Sequence, residues 1–449
     1  MLTRSDDGFE AARVDRIFNR RLSPRQPAAV VHPVTEQEVV DAVRLAASRG
    51  WQVAVRSGGH SWAQWSVRED ALVIDLGAFT QIEYDAQTHL VSAGPAVRGG
   101  AELGPFLEDR GRFFPGGHCP TVGIGGFLLQ GGQGWNARGW GWAAEHVAGI
   151  DLVTADGELV HASEEENADL FWAARGSGPG FPGVVTRFHL RTMDRPAHLA
   201  QSVQAYDLAD FDEVMTWLHE THAAVADTVE IVALTKTDRA IAPGPVLLVT
   251  ALALVDTPEQ ADAALAPFRT CPALDRALFV LDAVETTIAE QRARQLADNP
   301  EGHRWAVDNA WLSGPAADVV PAMRRAYTTL PNDKAFTIWF SMAPLRTLPD
   351  MAFSLQSEIY LASYVVWDDP ADDERCTAWL AGAMADLEPV TTGQYLGDGD
   401  LARRAVRFMS DEAWARFQAI RADRDPGGLF VGYLAGPGGA TNRNHWEPS

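Results

Sequence analysis

The sequence predicts an α+β protein of two domains, on three observations. Its 449 residues exceed what one core organises, and about two to three domains are expected at that length. Up to Arg195-Pro196 short apolar strands alternate with helices, and between them lie two loops dense in glycine. Beyond that boundary, longer strands of alternating apolar residues are interleaved with amphipathic helices. This is the pattern of an antiparallel sheet with helices laid over one face. The division is residues 1–195, then 196–400, with 401–449 as a segment returning to the first domain.

Residues 9–31 hold an Arg-rich helical stretch and a strand at Ala28–Val31. After Pro33, Thr35 and Glu38 stand at capping-box spacing. The helix they open buries Val39, Val40, Val43, Leu45 and Ala46, and Gly50 closes it. Trp51–Val55 is a strand, so a βαβ-like unit delivers the loop Arg56-Ser57-Gly58-Gly59-His60-Ser61-Trp62 from a strand end, a common position for phosphate binding. Strands at Ala71–Leu76 and His89–Ala93 and a helix from Gly99 to Arg110 precede the second loop. That loop runs Pro115-Gly116-Gly117-His118-Cys119-Pro120-Thr121-Val122-Gly123-Ile124-Gly125-Gly126 and on to Gly131-Gly132-Gln133-Gly134. Ile150–Thr154 and Glu158–His161 form a hairpin across Asp156-Gly157. A helix from Leu170 to Ala174 and a strand from Val184 to Leu190 end the first domain. In the second, strands are read at 228–234, 246–255, 335–342 and 357–367, and helices at 211–224, 258–268, 316–329 and 372–387. A last helix spans 410–423, and the chain from Gly436 onward reads as irregular.

Composition excludes several classes. The chain is 46% hydrophobic and 22% charged, the balance of a globular protein. A net charge of −23 argues against nucleic acid and anionic membranes as partners. No uncharged apolar run approaches the ~18 residues of a membrane span, and Met1–Asp7 lacks the apolar core of a secretory signal. A cytoplasmic protein is expected. Three cysteines, far apart and without a CxxC, make a disulfide framework an unsuitable reading.

Glycine at the density of the two loops is costly inside a helix or strand. It suits main-chain N–H groups turned toward one anionic ligand with no Cβ in the way. On that reading Arg56 offsets phosphate charge while the amides of Ser57, Gly58 and Gly59 donate from one side and Gly123, Gly125 and Gly126 from the other. Two tight turns packed together is the alternative. Gly132-Gln133-Gly134-Trp135-Asn136-Ala137 matches G-x-G-x-x-A as letters but lacks the strand and helix around a dinucleotide fingerprint. Zinc at His60, His118 and Cys119 lacks the spacing of a structural site. Trp135, Trp140 and Trp142 read as filling for an interdomain seam.

The strings Arg56–His60 and Gly117–Gly126, with Thr154–Gly157, Asn167–Gly176, Gly183–Thr186, Trp367–Pro370 and Asp425-Pro426, resemble the berberine-bridge-enzyme-like FAD oxidases of the PCMH-type (vanillyl-alcohol-oxidase) flavoprotein fold. The resemblance implies FAD attached twice, through His60 at the flavin 8α-methyl and Cys119 at C6. It implies a cofactor-binding set of Arg56, Ser57, Gly58, Gly59, His60, Ser61, His118, Cys119, Val122, Gly123, Ile124, Gly125, Gly126, Gln133, Val185 and Gln394. Val122 falls where the family's oxygen gatekeeper lies, and a small valine there resembles the oxidases.

The activity that the resemblance implies is that of an oxidase. It takes hydride from an alcohol or activated C–H of a small organic substrate, a sugar or natural product, and reduces O2 to H2O2. One departure stands out: where the family has Tyr-x-Asn-Tyr, this chain reads Thr392-Gly393-Gln394-Tyr395. Hydride loss from carbon requires a base for the attached O–H or N–H proton. Glu358 and Tyr360, two apart on a strand and so on one face, are candidates, with Tyr395 next. The alternatives are a dehydrogenase with another acceptor and a flavoprotein in a non-redox role, which Thr392 would permit.

Overall fold

The computed structural model describes residues 1–434; the expectation for the chain from Gly436 lies outside them. The strands are β1 (Leu2–Thr3), β2 (Ala29–Val31), β3 (Val53–Arg56), β4 (Leu72–Asp75), β5 (Ile82–Tyr84), β6 (Leu90–Ala93), β7 (Arg112–Phe113), β8 (Val147–Val153), β9 (Leu159–Ala162), β10 (Val184–Arg191) and β11 (Met193–Asp194). They continue with β12 (His198–Tyr206), β13 (Val229–Thr237), β14 (Pro245–Val255), β15 (Phe279–Thr286), β16 (Arg304–Leu312), β17 (Phe336–Ser341), β18 (Ile359–Trp367) and β19 (Thr391–Gly393).

The first sheet has the order β1-β2-β4-β3, with β2 and β3 parallel to β4. The helix Glu36–Arg49 joins β2 to β3. Thr35 caps it by accepting the Glu38 N–H, and Gly50 ends it with φ +66°. Glu38 returns its carboxylate to the Val34 N–H rather than to Thr35. Ala42 takes the buried place expected of Leu45, which is half-buried. The second sheet, β5-β6-β10-β8-β9, is antiparallel throughout. The hairpin β8–β9 turns at Gly157, φ +72°. The chain returns at its C-terminal end: the helix Asp411–Arg424 buries Ala413, Phe417 and Ile420 in the core of this sheet. Beyond it, Val53 on β3 donates its N–H to the Leu429 carbonyl and accepts the Val431 N–H.

From 198 onward, eight antiparallel strands run in the order β15-β12-β14-β13-β17-β18-β16-β19. The period of two in the sequence becomes two faces. Val229, Ile231, Ala233, Val249, Ala251, Trp339, Leu361 and Val365 pack against the helices Phe211–Thr221, Pro258–Leu265, Ala316–Thr328 and Asp373–Leu387. The opposite face, with Val203, Val232, Leu234, Leu252, Ile338, Phe340, Tyr360 and Tyr364, is turned to a cavity shared with the glycine loops. Burying a valine or leucine side chain contributes about 1.5–3 kcal/mol, so the helix-covered face holds this sheet together. Strands β12, β15, β16 and β19 and the helix Ile288–Asp298 are absent from the sequence expectation. In β16, Asp308 and Asn309 interrupt the apolar pattern. Both are buried because Arg404 pairs with Asp308 at 2.7 Å and Asn309 bonds the backbone of Tyr395 through both ends of its amide.

Candidate active site

The cavity measures 730 Å³ and lies between the two glycine loops and the open face of the eight-stranded sheet. The upstream loop leaves β3 at Arg56, directly opposite Asp75 on β4. The Arg56 guanidinium is wholly engaged there. Its Nε donates to Asp75 Oδ2 at 2.8 Å, Nη1 to the Arg13 carbonyl at 2.7 Å and Nη2 to the Ala12 carbonyl at 2.5 Å. Arg56 therefore pins the strand end instead of offsetting phosphate.

Most of the glycines serve the contact between loops. A Cβ on Gly58 would stand 2.6 Å from the Gly123 nitrogen, and one on Gly123 2.8 Å from the Gly58 Cα. Gly59, φ +78°, would put its Cβ 1.6 Å from the Arg16 carbonyl oxygen, and Gly125 would meet Ser57 Oγ at 2.7 Å. The amides of Ile124 and Gly125 are taken by the carbonyls of Val97 and Pro95 at 2.9 Å each, and the Ile124 side chain is in the core. The two loops are thus packed turns and a ligand wall at once. Gly126 is different: a Cβ there meets nothing within 4 Å, and the residue lines the cavity. The N–H groups of Gly58, Gly59, His60 and Ser61, on the same wall, donate to no other group among the described residues. Gln133 Nε2, also on the wall, is buried without a partner. Open amides, an orphaned donor and a bare glycine fit an extended anionic cofactor such as FAD.

Thr121 links the two proposed anchors. The Thr121 backbone lies beside the His60 ring and favours its protonated form, and the Cys119 thiol lies 3.5 Å from Thr121 Oγ1. His60 also stacks on Phe18, ring centroids 4.3 Å apart and 23° between planes. Burial holds His60 down to about 4, against the Thr121 backbone, so the imidazole is neutral with a free lone pair. Burial pushes the Cys119 thiol up, and the Thr121 hydroxyl and backbone partly oppose it.

Of the expected bases, Glu358 is exposed and outside the cavity, because β18 begins one residue later and its carbonyl only receives the Met342 N–H. Tyr360 and Tyr395 do line the cavity. Burial, then the negative charge of Asp398, pushes Tyr360 and Tyr364 well above the usual tyrosine value, and Tyr395 rises for the same two reasons. Tyr360 and Tyr364 are donors, not bases. Tyr395 Oη accepts the N–H groups of Gly132 and Gln133 at 3.2 and 3.3 Å. Gln394, buried one residue earlier, points to the Val406 carbonyl and lies outside the cavity lining.

The residue that sequence reasoning missed is Asp398. Its Oδ2 accepts Tyr360 Oη at 2.5 Å and Tyr364 Oη at 3.0 Å, and its Oδ1 accepts Trp62 Nε1 at 2.8 Å. Trp62 stands two residues past His60, so the carboxylate is joined to the anchor loop. The available signal was a carboxylate between two glycines, Gly397-Asp398-Gly399, just after Tyr395. Val122, Ser61 and Val185 are on the wall as expected. His118 also lines the cavity; its Nε2 lies 3.0 Å from both Glu230 carboxylate oxygens, and its ring sits 4.4 Å from that of Trp135. Trp135 also packs on Leu199, Leu252 and Leu254, and Trp142 on Trp311 and Phe353. Those two tryptophans fill the seam between the sheets.

The site is thus a glycine-loop cradle facing a sheet-lined cavity, with a carboxylate held by neutral donors. The FAD binding domain family matches residues 27–163. The chain is 39% identical to the FAD-linked oxidoreductase ptmO of Penicillium ochrochloron, over 95% of this chain and 94% of that protein. It is 36% identical to nodO of Hypoxylon pulicicidum over 95% and 94%. Xylooligosaccharide oxidase of Thermothelomyces thermophilus is 39% identical over 40% of this chain and 37% of its own. Among solved structures, 6-hydroxy-D-nicotine oxidase of Arthrobacter nicotinovorans shares the fold with a TM-score of 0.83 at 22% identity, covering 97% of each chain. The BBE-like 1 protein of Physcomitrella patens also matches at 0.83 and 22%, over 97% of this chain and 96% of its own. This chain belongs to the FAD-linked oxidoreductases and is an enzyme; its fold is the PCMH-type flavoprotein fold, shared with the BBE-like 1 protein.

Proposed function

We infer that the protein is an FAD oxidase whose flavin is attached through His60 and Cys119, and that it oxidises a small, largely apolar alcohol or activated C–H compound. The observation that carries the reading is Asp398. It accepts three neutral donors, and no cation pairs with it among the described residues. Such a carboxylate is oriented without its charge being cancelled, which suits it to take a substrate proton. FAD held by the cradle would supply the two-electron chemistry, that of a hydride acceptor that O2 can reoxidise with release of H2O2. As the C–H electrons leave, the attached O–H grows acidic and its proton passes to Asp398 Oδ1, which accepts only Trp62 Nε1, whereas Oδ2 is filled by the two tyrosines. Tyr360, Tyr364 and Trp62 hold that oxygen pair in place. Ser57 to Ser61 and Gly126 hold the cofactor, Gln133 offers it a donor, and small Val122 leaves an approach for O2.

The wall opposite the cradle supports the substrate class. Val203, Val232, Leu234, Leu252, Ile338 and Phe340 make much of this wall apolar, and Gln201, Glu230, Lys236 and Thr250 set a few polar groups among them, which suits a largely apolar compound that carries a hydroxyl. In sequence the sugar oxidase above aligns with less than half of this chain, and the sequence likeness that runs the full length is to proteins not named for sugars, although sugar oxidases share the whole fold.

The test is direct. Acid-precipitated protein carries yellow colour if the linkages form, and His60→Ala with Cys119→Ala releases it. Anaerobic mixing with small apolar alcohols bleaches the flavin, while xylobiose does not. Air then restores the colour with one H2O2 per turnover. Bleaching that only an artificial acceptor reverses identifies a dehydrogenase, and Val122→Ile slows the return with O2 if valine is the gate. Flavin unbleached by every compound overturns the oxidase reading.

A further inference from the structure

The second sheet carries a side-chain cluster that the flavin chemistry does not use. Asp151 on β8 stands directly opposite His161 on β9, and His189 on β10 stands opposite Gly149 on β8, two residues before Asp151. Residues i and i+2 share a face, so the three side chains converge. Asp151 Oδ1 is 2.7 Å from His161 Nδ1, and Asp151 Oδ2 is 3.0 Å from His189 Nε2. The candidate ligand atoms all lie within 4.8 Å of one another. None of the three residues lines the cavity.

Two further features show that the cluster is built. Ser92 on β6, opposite His189, bonds His189 Nδ1 at 2.8 Å. That contact turns Nε2 toward Asp151, as an outer hydrogen bond orients a metal-bound imidazole. Gly149 lies within a strand, where glycine weakens the sheet. A Cβ there would stand 2.9 Å from His161 Cε1 and 3.0 Å from its Nε2, so the glycine makes room for that ring.

We propose that Asp151, His161 and His189 bind one Zn2+ ion, with water completing the tetrahedron. Two imidazoles and a carboxylate are a zinc donor set, with bonds of about 2.0–2.2 Å. At those lengths the ligand atoms of a tetrahedron lie about 3.4 Å apart, so the present contacts of 2.7 and 3.0 Å open by about 0.7 and 0.4 Å to admit the ion. The Arg187 Nε stands 4.0 Å from Asp151 Oδ2, and its Nη1 reaches Glu83 at 3.4 Å, so Glu83 draws that cation off. The ion would tie together the three strands that carry the ligands.

The experiment uses the full-length protein, free of any histidine tag and stripped with EDTA, titrated with ZnCl2 and with CoCl2. The expected result is one equivalent of Zn2+ per chain by calorimetry, a rise in Tm, and visible Co2+ absorption of a four-coordinate site that Zn2+ abolishes. His161→Gln and His189→Gln each remove the binding. Ser92→Ala leaves all three ligands in place and weakens it by about 10–100-fold. Tm in EDTA checks that each variant is folded. Absence of saturable Zn2+ binding to the unsubstituted protein overturns the proposal, as does binding that survives both histidine substitutions. The triad then shares protons only.

Discussion

Tyr360 Oη lies 2.5 Å from Asp398 Oδ2, joining the open face of an apolar sheet to a loop carboxylate. Tyr364, four residues further along the same face, donates to the same oxygen. A tyrosine whose proton is held by burial and a neighbouring charge is a fixed donor, so the pair aims the carboxylate into the cavity. The proton acceptor thus comes from the loop, and the strand supplies its support.

Asp398→Asn keeps the shape of the side chain and removes its capacity to take a proton. The rate of anaerobic flavin reduction falls by roughly 10²–10⁴-fold, read by stopped-flow absorbance, with flavin content unchanged. Glu358→Gln, outside the cavity, leaves that rate as it was.

Gly126 and Gly58 separate cofactor space from packing. Gly126→Ala meets no heavy atom within 4 Å and exchanges a helical glycine for alanine, worth about 1 kcal/mol in the helix's favour. In a His60→Ala, Cys119→Ala background stripped of flavin, its denaturation midpoint is equal or higher, while flavin rebinding weakens. Gly58→Ala drives a Cβ to 2.6 Å from the Gly123 nitrogen and lowers the midpoint of the flavin-free protein itself.

Arg56→Met tests whether that residue holds the fold or a phosphate. Asp75 loses a partner in a pair whose side chains are 0% and 1% exposed. Breaking a buried pair costs about 3–5 kcal/mol. The lower end applies because Arg16 still reaches Asp75. Urea denaturation of the flavin-free protein shows the loss; a phosphate ligand alone would leave that curve in place.

Acid stability reports His222. It is 3% exposed and bonded through Nδ1 to Ser341 Oγ at 2.8 Å. Burial first, then the charges of His219 and Arg138, hold it down to about 4 from an ordinary 6.5. Between those values the unfolded chain binds a proton that the native protein refuses. Stability is therefore complete above pH 6.5 and declines as pH falls toward 4. His60, held down likewise by burial, adds the same sign in flavin-free protein. Tm measured across that range falls on acidification, and His222→Asn flattens the slope.

Much of this was legible in the chain. Thr35 and Gly50 announced the ends of their helix, Asp156-Gly157 its hairpin, and the alternation in β13, β14, β17 and β18 the two faces of the large sheet. All of these are local, set by propensity, capping and period over a few residues. The motifs Arg56–His60 and Gly117–Gly126 were enough to point to the family without any geometry.

What the linear order could not decide was which groups are already engaged. Arg56 looked like a phosphate ligand until Asp75, nineteen residues on, took its guanidinium. Gly125 looked like a ligand amide until the Pro95 carbonyl took its N–H. Asp398 looked like any turn carboxylate, because its donors come from Trp62, Tyr360 and Tyr364 on distant elements. A sequence sets each residue's capacity to bond, whereas the partner that consumes or directs that capacity is a property of closeness in space.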